Sequence, residues 1–195
     1  MRVALCFTTS SNMQTLLTKC RLPQYRHAAF HISNVFGDHA VLQRDKPCPV
    51  WGWAAPGASV STTYQSVKYT ATANATTGLW IITLPPTPAT MTPTSLTFST
   101  DSGASQTLND ILFGDVHLCS GQSNMQFTIL NGVPNATAEL QKGNAYPHIR
   151  LFTVGEGNSS KVPFNELASI EQPWVVASNT SLGVGAWSAF SAVCW

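Results

Sequence analysis

Charge is scarce in this chain. Of its 195 residues only 10% are Asp, Glu, Lys or Arg, and 10 basic side chains stand against 9 acidic ones for a net charge of +1. So nearly neutral a chain offers neither the basic surface that nucleic-acid binding needs nor an acidic tail, which excludes nucleic acid as a dedicated partner. Long apolar runs are missing too. None approaches the roughly 20 residues that cross a bilayer, so no membrane span is expected. The five cysteines, Cys6, Cys20, Cys48, Cys119 and Cys194, include no Cys-x-x-Cys pair. Structural zinc and thioredoxin-type chemistry lack their ligand spacing, and neither a metal nor another cofactor is expected. What is present is core-forming material, with 44% of residues hydrophobic and six tryptophans. That composition excludes a wholly disordered chain.

Asn-x-Ser/Thr tripeptides stand at Asn74, Asn135, Asn158 and Asn179, none with proline in the middle. Such sequons are glycosylation acceptors only in the secretory route, and four of them favour a secreted or lysosomal setting. Residues 1–30 hold Arg2, Lys19, Arg21 and Arg26 and no acid. Their longest apolar stretch, Val3 to Phe7, is short for a signal-peptide core, so the segment reads as an N-terminal extension or targeting segment.

From Ile32 to Ser105 the texture is that of β-structure. Val50–Trp53, Ser59–Tyr64, Val67–Ala73, Leu79–Leu84 and Ser95–Ser99 are rich in Val, Thr, Tyr, Trp and Ile, and turn-formers such as Pro56-Gly57 separate them. Val60, Thr62 and Tyr64 alternate with Ser61 and Thr63 as a half-buried strand would. Close spacing of short strands predicts a small antiparallel β-sandwich. After Leu108 the pattern changes. Ile111–Cys119 reads as a buried strand, Ala136–Lys142 as a helix, His148–Val154 as a strand and Val162–Ala186 as mostly loop. A boundary near 106–110 follows, dividing the chain into 1–30, a β-rich 31–108 and an α/β segment, 109–195.

Directly after the expected strand comes Ser120-Gly121-Gln122-Ser123-Asn124-Met125-Gln126. A serine between a strand and a helix can be a nucleophile, because its hydroxyl stands at the mouth of the sheet while backbone N–H groups face a developing oxyanion. Ser123 fits that position. Gly121 permits a tight turn and close approach of substrate, and Gln122 and Asn124 flank the reactive oxygen. Serine, glycine and asparagine are also ordinary turn and cap residues, so the spacing alone leaves a turn as the rival reading.

The block Leu118-Cys119-Ser120-Gly121-Gln122-Ser123-Asn124-Met125-Gln126 resembles the nucleophile block of the sialate O-acetylesterases, carbohydrate esterases of the SGNH-hydrolase superfamily. Val35-Phe36-Gly37-Asp38-His39-Ala40-Val41-Leu42-Gln43-Arg44, followed by Val50-Trp51-Gly52-Trp53 and Pro56-Gly57, is similar to the opening of that family's β-rich N-terminal region. Phe190-Ser191-Ala192-Val193-Cys194-Trp195 matches a later family segment. The resemblance covers Phe30 to the end. It implies a fold in which the β-sandwich is followed by the truncated start of an SGNH-type α/β hydrolase domain. It also implies a serine esterase that hydrolyses O-acetyl esters on sialic acid or related acetylated sugars, with Ser123 as nucleophile and its own N–H as an oxyanion donor. Gly121, Gln122 and Asn124 are the candidates for oxyanion or substrate contacts.

One departure bears on activity. The family places an Asp-x-x-His block late in a longer chain, and no aspartate here has a histidine three places on. After Ser123 there is no aspartate at all and one histidine, His148. The chain thus reads as an N-terminal piece of an acetylesterase, its base and acid lying beyond Trp195. The alternative is a non-catalytic truncated isoform or glycan-binding β-module. Other residues favour structural roles. His117 reads as a packing residue, His148 as a surface or structural one, and His39 as shaping the β-rich part or its junction. Cys119 reads as a small buried residue, and Trp51, Trp53 and Trp80 as core rather than a sugar-stacking platform.

Overall fold

The computed structural model describes residues 29–119, 127–155, 161–183, 192 and 195. The fold is mixed α/β, mostly strands with few helices. Among the described residues ten strands come in order: β1 (His31–Ile32), β2 (Val41–Gln43), β3 (Cys48–Trp53), β4 (Ser59–Tyr64), β5 (Val67–Thr72), β6 (Leu79–Leu84), β7 (Thr94–Thr100), β8 (Ser105–Gly114), β9 (Arg150–Val154) and β10 (Ile170–Val176). Among the described residues the short α-helices α1 (Ile129–Gly132), α2 (Ala136–Lys142) and α3 (Asn179–Gly183) flank β9 and β10, and a 3-10 turn, Gly143–Ala145, follows α2.

Alternation builds the main core. In β4 the residues Val60, Thr62 and Tyr64 are buried, as their spacing predicts, and in β6 Trp80, Ile82 and Leu84 do the same. Strands β2-β8-β7-β4-β5 form one sheet and β1-β3-β6 another. Their inward residues meet in a single apolar cluster, which includes Val50, Val60, Trp80, Ile82, Leu96, Phe98 and Phe113. The five-stranded sheet is mixed rather than antiparallel throughout. β2 runs parallel to β8, pairing Val41–Gln43 with Leu112–Gly114.

Glycine is required where β1, β3 and β6 meet. A Cβ on Gly52 would stand 2.1 Å from the His31 carbonyl oxygen, 2.7 Å from Trp80 Cζ2 and 2.8 Å from Ile32 Cα. Backbone and a packed indole cannot both give way, so Gly52→Ala should displace β1 and cost about 1–3 kcal/mol, the range for overpacking. Thermal unfolding followed by circular dichroism should show a fall of several degrees. An unchanged midpoint would mean that β1 does not sit where it is described.

Several expectations change here. The strand expected over Ile111–Cys119 is instead β8, Ser105–Gly114, and Asp115–Cys119 is exposed and outside any strand. The pairing stops because the neighbour β2 ends opposite Gly114, and the chain turns away at Asp45, whose φ is +57°. The expected boundary at 108/109 falls inside β8. The described part of Val162–Ala186, residues 162–183, is not mostly loop, since it holds β10 and α3. The polar Glu171-Gln172-Pro173 run hides β10 from a periodicity reading, and irregular pairing on either side of Gln172 accommodates it. Ala136–Lys142 is the helix the sequence predicts.

β9 and β10 pair with each other, and Leu151 joins Ile129, Ala177 and Leu182 in a second, smaller apolar cluster. This unit is joined to the first. Trp174 Nε1 donates to the Val35 carbonyl at 2.8 Å, and the Asn34 amide N–H donates to Glu166 Oε1 at 2.8 Å.

Candidate active site

The polar residues of Val35–Arg44 have one task in common: each holds β8 or its exit. Asp38 Oδ1 accepts the Asn109 amide N–H at 2.6 Å. His39 Nδ1 lies 2.6 Å from Asp110 Oδ2. Gln43 Oε1 accepts the Val116 amide N–H at 3.0 Å, and Arg44 Nε donates to Asp115 Oδ1 at 2.9 Å. β2 and β8 run parallel, so the early residues of the motif, Asp38 and His39, meet Asn109 and Asp110 inside β8, while Gln43 and Arg44 reach the residues just past its end. The last two contacts fix the chain just before the candidate nucleophile block.

Ser123, Gly121, Gln122 and Asn124 lie outside the described residues, as do the rest of 120–126. The described chain reaches this block from both sides. Upstream, Cys119 is disulfide-bonded, and Leu118 is 91% exposed. Downstream, the Phe127 carbonyl accepts the Ala192 amide N–H at 2.8 Å, and Ile129 is fully buried against Leu151 and Leu182. Cys119 is thus an exposed half-cystine and not a small buried thiol. The expectation of burial came from extending β8 too far.

His117 is exposed, not packed, for the same reason. His148 is a surface residue as expected. Trp80 is core, 1% exposed, beside Phe98 with ring centroids 5.5 Å apart. Trp51 and Trp53 are half-buried. Trp51 meets Phe36 edge-on and donates from Nε1 to the Asn165 carbonyl, while Trp53 stacks on His31.

Electrostatics concentrate at Asp110. Its side chain is 26% exposed and lies between His39 and Arg150, whose Nη2 stands 3.2 Å from Oδ2 and whose own side chain is 3% exposed. The hydrogen bond from His39 leads the causes that hold the Asp110 carboxyl below its usual range. The Arg150 charge acts the same way, and partial burial opposes both. At the exit of β8, the Arg44 hydrogen bond likewise lowers Asp115. Sequence reasoning placed His39 at a junction but gave no signal for Asp110 or Arg150, which lie 40 residues apart. Among the described residues no group of three or more His, Cys, Asp or Glu side chains could hold a metal ion. No helix among them is long and apolar enough to cross a membrane.

The Asp110 shift has a definite sign. A carboxylate whose folded value is depressed binds its proton more readily in the unfolded chain. Its stabilising contribution is therefore complete above the unfolded value of about 3.8 and is lost as pH falls through the lower folded value. Acid titration of wild type and Asp110→Asn should converge at low pH and separate above about pH 4. Parallel curves across that range would contradict the assignment.

This mixed fold, with a β-rich unit bracing the strand that precedes the Gly-Gln-Ser-Asn sequence, has a solved counterpart in a carbohydrate acetylesterase. The crystal structure of that enzyme from Xanthomonas citri superposes with a TM-score of 0.71 at 31% identity, over 84% of this chain and 35% of its own. The chain is, over most of its length, a homologue of the sialate O-acetylesterases. Those of Pongo abelii and Homo sapiens are each 32% identical over 181 residues, 85% of this chain and 33% of theirs. The Mus musculus protein is 31% identical over 195 residues, 92% of this chain. The chain thus spans about a third of the length of these curated relatives. No protein-family model matches it.

Proposed function

We propose that this chain is part of a serine esterase that removes O-acetyl groups from sialic acid or related acetylated sugars. The observation that carries the reading is identity of 29–32% over most of the chain to relatives that share one named chemistry. Ser123 attacks the acetyl carbonyl, its own N–H group binds the oxyanion, and Gly121, Gln122 and Asn124 contact the oxyanion or the sugar. The β-rich unit is a sandwich-like module, and the chain beyond β8 is the start of an SGNH-type hydrolase domain. A general base must reach hydrogen-bonding distance of the serine. The Asp-x-x-His block that the family resemblance implies is missing after Ser123, so in this reading the base and its acid come from outside these 195 residues. The sequons, of which Asn74 and Asn135 are exposed, support a secreted or lysosomal setting.

Acetate release from O-acetylated sialic acid tests the reading. A product as long as the relatives should release acetate, and the 195-residue chain by itself should release little or none. No release from the longer product would sink the esterase reading and favour the non-catalytic glycan-binding module. Release by the short chain alone would instead place the base at His148 or on a partner subunit.

A further inference from the structure

Asp110 sits at a break in the β7–β8 ladder. Thr94 pairs with Ile111 and Leu96 with Leu108, so two residues of β8, Asn109 and Asp110, stand opposite the single Ser95. Asp110 carries φ of +54° and the facing His39 +68°, both in the left-handed region that aspartate tolerates and most residues avoid. A bulge of this kind re-aims one side chain. Here it turns the Asp110 carboxylate to the first residue of β9, where Arg150 Nη2 meets both oxygens at 3.3 and 3.2 Å. The Arg150 side chain is almost wholly buried; its Nη1 donates to the Pro147 and Ile149 carbonyls, and its Nε has no hydrogen-bond partner among the described residues. A guanidinium cannot shed its charge, and the carbonyls that accept from Nη1 carry none, so Asp110 is the ion-pair partner that compensates it.

The two strands joined in this way carry the two ends of the segment that contains Ser123. β8 continues into Asp115 and Val116, which Arg44 and Gln43 hold. β9 packs Leu151 against Ile129, six residues after Ser123 in the chain. We propose that Asp110 is a positioning residue: aimed by the β8 bulge between His39 and Arg150, it locks β9 to β8 and so sets the two ends of the Ser123 segment relative to each other. The catalytic consequence rests on the esterase reading. The lock itself rests on the contacts.

Hydrogen exchange on the 195-residue chain tests the lock, using Asp110→Asn, Arg150→Met and the double variant. Asparagine keeps the left-handed backbone and the side-chain shape and removes the charge. Asp110→Asn should speed exchange of the β9 and β10 amides about tenfold or more and leave β3, β4 and β6 within about twofold. The double variant should be little worse than Arg150→Met alone, as expected of residues acting through one contact. No change in β9, an equal rise in every strand, or additive effects would overturn the lock. Where Asp110→Asn does not fold, His39→Gln removes one partner only and should give a smaller selective rise, about threefold; its absence overturns the lock as well. In the longer, active product Asp110→Asn should lower kcat for an acetyl ester about tenfold with KM within twofold. Selective exchange with kcat unchanged would overturn the positioning role. An inactive wild-type product would count against the esterase reading, and exchange would still decide the lock.

Discussion

On the esterase reading, Ser123→Ala is expected to abolish acetyl-ester hydrolysis in a product as long as the relatives, lowering kcat on the order of 10⁴-fold or more. The reason is chemical. Alanine has no oxygen to attack the acetyl carbonyl, so no acyl-enzyme forms, and only substrate binding and the oxyanion donors remain to assist water. KM should move little, since the hydroxyl contributes to the transition state far more than to the bound ester. Asn124→Ala should cost less, about 10²-fold, the loss usual for one oxyanion donor. The measurement is initial rate on a chromogenic acetyl ester, with a fluorophosphonate probe as a second readout of the same hydroxyl. Turnover retained in Ser123→Ala would remove the nucleophile assignment. Turnover lost equally in Ser120→Ala, the neighbouring serine, would point to a general disturbance of the segment instead.

The largest effect on stability should come from Trp80→Ala. The indole is wedged between the two sheets, near Phe30 and Phe98 and over Gly52, the β3 residue it pairs with. Removing it leaves a cavity that fixed strands on both sides cannot collapse to fill, and about 3–5 kcal/mol is the usual cost. For a chain of this size that corresponds to a fall in Tm of roughly 10 °C or more. Trp80→Phe should lose much less. It retains the aromatic face and also removes an indole N–H that is buried without a partner among the described residues. Differential scanning calorimetry of the two variants separates the terms. Equal losses would show that a phenyl ring recovers nothing at this site and that only the full indole fills it.

The β-rich half was legible from the sequence because local pattern and tertiary environment agree there. Val60-Ser61-Thr62-Thr63-Tyr64 alternates, and one face meets the core. Its hairpin to β5 was harder to anticipate. Gln65 and Ser66 both take positive φ, a conformation more often supplied by Asn-Gly, and neither residue announces it. Asp115–Cys119 misled for the opposite reason. Its valine and leucine look like a continued strand, but a strand needs a neighbour, and nothing local in the sequence says that β2 stops at Gln43. The site divides in the same way. Ser123 stood out through its neighbours in the chain, while Asp110 and Arg150 gain their roles only from a bulge and a burial that depend on distant strands.

The contacts of Ser33, Asn34 and Val35 bear on how the chain comes together in time. Their partners Asn165, Glu166 and Trp174 lie 132 to 139 residues further on. At translation rates of about 5–20 residues per second, the first strand therefore waits on the order of 10 s for the groups that complete its surroundings. Until then Trp51 lacks the Asn165 carbonyl that receives its indole N–H. Nascent chains stalled before Asn165 should leave this corner open to protease, and those stalled beyond Trp174 should close it. Such high contact order also makes the last docking step slow, so chaperone demand during biosynthesis should fall on this seam and not on the locally paired β4–β5 hairpin.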